Sequence, residues 1–218
     1  MTNSTAEIVT RSATRPVTKP VTKKGQESVD SILDATLDIL ERDGFSHLTT
    51  NHIAAESGVR VGSLYRFFPN KESIIVALVE RWHESIINTN ASYLCEKIEG
   101  MTFIEIVQGL FLLNLRSEYI HSAAYNAVYL GASTVPVLVE ILTEHQQRVA
   151  KQVANVRPKN GSKSQAELLE FCVFLHGMIS SALSIVAKQK GKSRVRHTQW
   201  ILQMIRGAIE TFEDEAKN

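Results

Sequence analysis

The sequence predicts an all-α fold, and three observations support that prediction. Apolar residues recur at three- and four-residue spacing through most of the chain from Glu27 onward. Helix stop and start signals separate these segments: Gly44 and Gly58 each follow one, while Ser164 and Glu167 form a capping box ahead of another. The chain shows no alternating strand pattern, internal repeat or glycine-rich phosphate loop. We therefore expect an N-terminal three-helix unit joined to a larger helical body.

Composition narrows the class of protein. The 218 residues carry a net charge of +1 and are 44% apolar, which is typical of a globular protein with one or two domains. The two cysteines, Cys95 and Cys172, do not make a disulfide framework, so we expect two free, largely buried thiols. The N-terminus lacks the pattern of a signal peptide. The uncharged segment 119–139 contains several polar residues and Pro136, which argues against a membrane span. We therefore expect a cytoplasmic protein with no membrane partner.

Changes in amino-acid composition and helical periodicity along the chain predict three regions. Residues 1–26 are rich in Thr, Ser, Pro and Val, with Pro16 and Pro20 breaking any helical period, so we expect a disordered arm. Five basic residues against one acidic residue give this arm a charge of +4. Residues 27–73 form the candidate helix-turn-helix domain, and residues 74–218 form the candidate effector-binding and dimerisation domain.

The spacing of residues 50–72 predicts a helix-turn-helix. A short helix over 50–57 with a threonine N-cap precedes Gly58, which permits a tight turn, and a second short helix covers 61–67. Gly62 and Ser63 are small enough for the second helix to approach base edges in the major groove. We expect Leu64, Phe67 and Phe68 to be core residues of this unit, since they are large and apolar. Tyr65 is either a phosphate contact or a packed aromatic residue.

In this region the chain resembles the TetR family of bacterial regulators. The resemblance covers about residues 28–80 and rests on these segments: Ile32-Leu33-Asp34-Ala35, Gly44-Phe45, Leu48-Thr49-Thr50, Ile53-Ala54, Ser57-Gly58-Val59, Gly62-Ser63-Leu64-Tyr65 and Phe68-Pro69-Asn70-Lys71-Glu72. It implies a homodimer whose last two helices form a four-helix bundle between subunits, with a ligand cavity inside the central helices. Downstream of residue 80 the likeness is one of helix number and length only.

The resemblance also implies roles for individual residues. Those expected to contact DNA phosphates are Thr49, Thr50, Tyr65 and Lys71, and those expected to face the major groove are Arg60, Val61, Gly62, Ser63 and Arg66. Two positions depart from the family pattern. Arg60 stands where a capping Ser or Thr is common, and it is long enough to contact guanine or a phosphate itself. Phe67 replaces a frequent polar-tipped aromatic residue, so it offers no phosphate contact.

The charges suggest a role for the arm. Residues 27–80 contain four basic and nine acidic residues, a balance of −5 that is unfavourable for a polyanionic partner. The charge of +4 on the arm nearly cancels this charge of −5. One interpretation is that the arm binds DNA, above all through Lys23 and Lys24, as basic arms do in the minor groove. The alternative is a passive, solvated tail.

Two segments without Asp, Glu, Lys or Arg, 119–139 and 171–187, predict buried helices in the body. Their polar tips are candidate contacts of an apolar, uncharged effector: His121, Tyr125, Asn126, Tyr129 and His176. The alternative is that the tyrosines lie at the core edge and the small residues serve helix packing. The last helix carries the expected dimer face, formed by Trp200, Ile201, Met204, Ile205 and Phe212. No short cluster of metal ligands occurs, so we expect no metal and no cofactor.

These features predict a ligand-responsive regulator: a homodimeric repressor, released from a palindromic operator in double-stranded DNA by a small, largely apolar effector. Two alternatives remain open. One is a DNA-binding regulator without an effector, and the other is a helical enzyme. We expect no enzymatic activity, because no motif pairs a nucleophile with a base at a recognisable spacing.

Overall fold

A computed structural model describes residues 20–96, 98–117, 124, 128, 136–156 and 163–214. Within these ranges the chain is helical and contains no strand, as the sequence predicts. The helices are α1 (Lys23–Arg42), α2 (Thr50–Ser57), α3 (Val61–Phe67), α4 (Lys71–Glu96), α5 (Phe103–Leu115), α6 (Pro136–Asn155), α7 (Gln165–Ala187) and α8 (Gly191–Asp214), with a short 3₁₀ turn at Phe45–His47.

The chain divides into two compact units. The first contains the described residues up to His83 and those within Ser122–Ile141, and the second contains those of Glu84–His121 and Leu142–Asn218. In the first unit α1 packs against α2, and α2 packs against α3. Its largest fully buried side chains come from all four N-terminal helices and the segments between them: Ile32, Ile39, Leu40, Leu48, Ile53, Leu64, Phe68, Ile74, Ile75, Leu78 and Trp82.

Helix α1 begins earlier than expected. The Thr22 hydroxyl accepts a hydrogen bond from the backbone N–H of Gly25 (3.1 Å), and α1 starts at Lys23 rather than at Glu27. The assignment of residues 23–26 to a disordered arm was therefore wrong. A threonine N-cap followed by lysines is a sufficient start signal, because the cap satisfies an N–H that has no partner within the helix. Residues 1–19 of the expected arm lie outside the described residues.

In the second unit α7 and α8 pack against each other and both pack against α5. The core between them is apolar and includes Phe103, Phe111, Leu175, Val186, Ile205 and Ile209. Thr102 and Glu105 form a capping box at the start of α5, and Ser164 and Glu167 form the predicted box at the start of α7. Helix α7 is the one described helix that is long and apolar enough to cross a membrane by length and composition alone. One face of this helix packs against α5 and α8.

Helix α8 begins at Gly191 and includes most of the basic stretch 188–196. Two expectations about the body need correction. Ile205 and Phe212 lie in the core of the subunit and not on an exposed face, because they follow the same 3–4 spacing as the buried Ile209. Cys172 is buried as expected, but Cys95 is exposed near the end of α4.

Candidate nucleic-acid interface

Helices α2 and α3 are joined by a tight turn, and its backbone conformation depends on the type of residue at particular positions. The Thr49 hydroxyl caps α2 by accepting a hydrogen bond from the N–H of His52 (3.1 Å). Gly58 ends α2 in the left-handed conformation, with φ of 67°, where a side chain would be strained. Helix α3 begins three residues later. The predicted bounds of both helices are therefore confirmed.

Helix α3 has one buried and one exposed face. Leu64 and Phe67 are buried against the unit and Phe68 follows them into the core, as expected. The opposite face is exposed and is formed by Val61, Gly62, Tyr65 and Arg66. An added Cβ at Gly62 would meet no atom within 4 Å. The backbone at the start of α3 is therefore uncovered on this face.

Arg60 occupies the N-cap position of α3 without capping it. Its side chain makes no cap hydrogen bond, and the residue is exposed. Its backbone carbonyl accepts from the N–H groups of Ser63 (2.8 Å) and Leu64 (3.0 Å), which starts the helix. The departure from a capping Ser or Thr thus leaves the guanidinium available for an external partner.

A hydrogen bond joins the two helices at the surface. The hydroxyl groups of Tyr65 and Thr50 lie 2.9 Å apart, although the residues are 15 positions apart in the chain. Tyr65 remains 47% exposed. Thr50 is the first residue of α2, where backbone N–H groups lack partners within the helix. The structure thus brings two of the expected phosphate-contacting residues together at a site suited to an anion.

Two further cations lie beside aromatic rings. The guanidinium carbon of Arg66 is 4.7 Å from the centroid of the Phe67 ring, and the Lys71 ammonium is 5.5 Å from that of Phe45. Lys71 opens α4, whose first turn is capped by the Asn70 side chain, which accepts from the N–H of Ser73 (2.8 Å). The rings restrict both cations without neutralising their charge.

Ion pairs neutralise part of the excess negative charge of residues 27–80. Arg42 contacts Asp43 (3.0 Å) and Glu56 (3.2 Å), and its hydrogen bonds lower the pKa of both carboxyl groups. Arg81, just beyond the region, contacts Asp34 at 2.7 Å. Three of the nine carboxylates are therefore paired with arginines. These two contacts occupy the Arg42 guanidinium.

Lys23 and Lys24 lie in the first turn of α1 and are exposed. A helix N-terminus carries partial positive charge, so two lysines there reinforce a positive potential. Their position differs from the one expected, because they belong to a helix rather than to an arm.

Of the expected effector contacts, His121, Tyr125, Asn126 and Tyr129 lie outside the described residues. His176 lies on α7 in the second unit. Its ring meets the ring of His145 of α6 edge-on, with centroids 5.6 Å apart, and the Ser180 hydroxyl is 3.5 Å from its ring nitrogens. Burial lowers the pKa of His176 to about 4, so the imidazole is neutral at neutral pH.

Sequence reasoning missed a group of amides in the same unit. The Asn114 side-chain amide donates to the Asn90 side-chain oxygen (2.9 Å), and the Gln152 amide donates to the backbone carbonyl of Ile87 (3.0 Å). Asn90 is buried, and the side-chain oxygen of Gln152 is a buried acceptor without a hydrogen-bond partner in the described part of the chain. The sequence does contain a signal for this group: Asn90 is a polar residue at helical spacing from the apolar residues Ile87 and Leu94.

The partly buried His176 predicts a pH dependence of stability. Its pKa is about 6.5 unfolded and about 4 folded, so between these values the unfolded chain binds more protons. The contribution of His176 to the free energy of unfolding should therefore fall as pH drops from 6.5 to 4 and then level off, with a loss of up to roughly 3 kcal/mol. Urea denaturation across this range measures the effect. His176→Phe should flatten this part of the curve, and an unchanged pH dependence in that variant would contradict the assignment.

A short helix, a left-handed glycine turn and a second helix with an uncovered, basic outer face define a helix-turn-helix domain. Residues 32–78 match the family model described as "Bacterial regulatory proteins, tetR family". The helix-turn-helix domain of this chain is therefore similar to that of the TetR family of bacterial regulators, as the sequence predicts.

Similar proteins share this part of the chain. The nucleoid occlusion factor SlmA of Actinobacillus pleuropneumoniae is 34% identical over 62 residues, which cover 28% of this chain and 31% of that protein. The HTH-type transcriptional repressor KstR of Mycolicibacterium smegmatis is 40% identical over 55 residues, 25% of this chain and 27% of that protein. The chain thus matches less than a third of the length of these two relatives.

Solved structures extend the likeness to the fold of the body. The crystal structure of a TetR-family transcriptional regulator from Streptomyces coelicolor superimposes with a TM-score of 0.62, covering 84% of this chain and 97% of that one. The sequences are 19% identical, so the shared property is the helical architecture.

Proposed function

We propose that this chain is a cytoplasmic transcriptional repressor that binds a palindromic operator as a homodimer. The observation that carries the proposal is the uncovered face of α3, with Gly62 open to solvent beside exposed Arg60 and Arg66. The matched relative KstR is named a transcriptional repressor, which favours repression over activation.

In this proposal α3 enters the major groove by its N-terminal half. Gly62 and Ser63 allow close approach, and Arg60 and Arg66 reach guanine edges or phosphates. Phosphates are contacted by the Thr50–Tyr65 hydroxyl pair, by Thr49 and by Lys71, and these contacts set the register on the duplex. The proposed DNA contacts also include Val61 on the groove side, with Lys23 and Lys24 at the start of α1.

We further propose that a small, uncharged and largely apolar effector binds the helical body and releases the operator. The body offers uncharged hydrogen-bonding groups, which suit an uncharged ligand. They are the neutral imidazole of His176 and the side-chain amides of Asn90, Asn114 and Gln152. The buried oxygen of Gln152 would accept from an N–H or O–H of the ligand. Release requires the effector to bind the DNA-free state more tightly, and by the same factor the operator weakens effector binding.

Exposed apolar residues support the proposed homodimer through the last two helices. Phe174 and Ile185 on α7, and Trp200 and Met204 on α8, are each more than half exposed in the single subunit. Large apolar side chains concentrated on two adjacent helices are typical of a surface that is covered in solution.

Selection from a pool of random duplexes tests the proposed function. The full-length protein should enrich a palindrome with half-sites about one helical turn, roughly 34–36 Å, apart. Failure to enrich any sequence would contradict operator binding.

Two arginine variants then separate base reading from phosphate anchoring. If Arg60 reads a base, Arg60→Ala should relax one operator position by roughly 1–3 kcal/mol, while loss of a phosphate contact weakens all sequences equally. The same comparison applies to Arg66→Ala. Fluorescence anisotropy with the selected and mismatched duplexes measures both effects. Arg116→Ala, an exposed arginine of the second unit, is the matched control. Unchanged binding by both variants would mean that α3 is not the recognition helix.

A further inference from the structure

Two histidines lie at the junction of α1 and α2, and the proposed function gives them no role. His47 ends the 3₁₀ turn, and His52 lies in the first turn of α2. We propose that both side chains contact operator phosphates in their protonated form, so that the operator binds more tightly as the pH falls from 8 to 6. This inference rests on the proposed DNA binding and adds proton uptake to it.

Backbone carbonyl groups hold both imidazole rings. The Nδ1 of His47 lies 2.8 Å from the carbonyl oxygen of Asp43, and the Nδ1 of His52 lies 3.1 Å from the carbonyl oxygen of His47. Because a carbonyl oxygen can only accept, each Nδ1 carries the hydrogen in the neutral ring. The Ser46 hydroxyl lies 3.2 Å from the same nitrogen of His47. The two rings therefore form a continuous row from the end of α1 to the start of α2.

The other ring nitrogen, Nε2, is the one that can take up a proton. Within the described residues neither Nε2 takes part in a hydrogen bond, and neither is enclosed in the core. His47 is exposed and His52 is half-buried. Protonation leaves the bonds at Nδ1 intact, because both nitrogens of an imidazolium are donors. Each ring thus gains a positive charge and a free N–H donor without any change of fold.

Phosphate is the partner that favours this protonated form. With neutral histidines residues 27–80 carry a charge of −5, and two imidazolium groups reduce it to −3. The proposed phosphate contacts Thr49 and Thr50 lie between the two histidines in the chain. A cation in the first turn of an isolated helix is unfavourable, which applies to His52. A phosphate at that end of α2 removes the penalty, so DNA binding should take up protons.

The charged neighbours of the pair keep their own charges over this pH range. The carboxylate of Asp43 attracts both imidazolium groups, and that of Glu56 attracts His52. Hydrogen bonds from Arg42 lower the pKa of both carboxyl groups, so they stay ionised between pH 6 and 8. The adjoining helices contribute one phenol and one ammonium group, those of Tyr65 on α3 and Lys71 on α4. The histidines are therefore the groups of this junction suited to respond near neutral pH.

Operator affinity measured at two pH values tests the inference. With the selected duplex and constant ionic strength, fluorescence anisotropy should show a Kd at least about tenfold lower at pH 6 than at pH 8. Tenfold is about 1.4 kcal/mol, shared among four histidines in a dimer. The dependence of log affinity on log salt should also be steeper at pH 6, by about 0.9 per added phosphate contact. Equal affinities and equal salt slopes would overturn the inference, whereas no operator binding at either pH would contradict the proposed function itself.

Variants of fixed charge separate protonation from side-chain shape. The double variant His47→Gln and His52→Gln should bind equally at both pH values, like the parent at pH 8. The double variant His47→Lys and His52→Lys should bind at both like the parent at pH 6. Each single glutamine variant should remove about half of the pH dependence on a logarithmic scale. A glutamine pair that keeps the full pH dependence would overturn the inference.

His197→Gln is the matched control for these variants. The Nδ1 of His197 also bonds the carbonyl oxygen four residues earlier, that of Ser193 (2.8 Å), but this ring belongs to the second unit. The variant should keep the pH dependence of the parent. Loss of the pH dependence in His197→Gln would assign it to the body and overturn the inference. Urea denaturation at both pH values checks that every variant is folded.

Discussion

Replacing Gly62 by leucine should reduce operator affinity at least about a hundredfold without unfolding the protein. Gly62 lies in the first turn of α3 on its uncovered face. A leucine side chain there would hold the helix away from the base edges, and the loss of two base contacts at roughly 1–3 kcal/mol each accounts for the fall. Fluorescence anisotropy with the selected operator measures the affinity.

The fold should tolerate this change because the site is open. No atom lies within 4 Å of an added Cβ at Gly62, and its φ is not in the left-handed region. Gly62→Ala serves as the matched control: it should bind nearly as well as the parent and stabilise α3 by up to about 1 kcal/mol, because alanine favours helix over glycine. If Gly62→Leu bound the operator like Gly62→Ala, close approach of this face to the bases would be excluded.

Phe68→Ala should destabilise the helix-turn-helix unit by roughly 3–5 kcal/mol. Phe68 is 1% exposed and lies directly after α3, where the extended backbone turns its ring into the core. Removing the ring leaves a cavity in the core of the unit, and it takes away much of the stability typical of a domain. Urea denaturation, followed by the fluorescence of the buried Trp82, reports on this unit.

Val61→Ala is the control for the Phe68 variant, because Val61 is exposed on the same helix. Its stability should change by less than about 0.5 kcal/mol. A loss below about 1 kcal/mol for Phe68→Ala would show that the α3–α4 junction is not the packing centre of the unit.

The sequence alone was sufficient to predict the features that depend on residues close together in the chain. Thr49, Gly58 and the box of Ser164 with Glu167 were correctly assigned because caps and turns connect residues three or four positions apart. The family motif over residues 32–78 is a series of such local signals, so it could be read without coordinates. Thr22 is a local signal too, and it was missed because two prolines made the preceding segment look irregular.

Only the tertiary structure decided which helix faces meet. The pairing of Thr50 with Tyr65, and of Asn90 with Asn114, joins residues 15 and 24 positions apart. Periodicity identifies a face of a helix, but it does not say whether that face is turned inward when a helix is apolar on two sides. On α8 it grouped Ile205, which is buried, with Trp200, which is exposed. Side-chain burial depends on the neighbouring helices α5 and α7, whose packing no local pattern encodes.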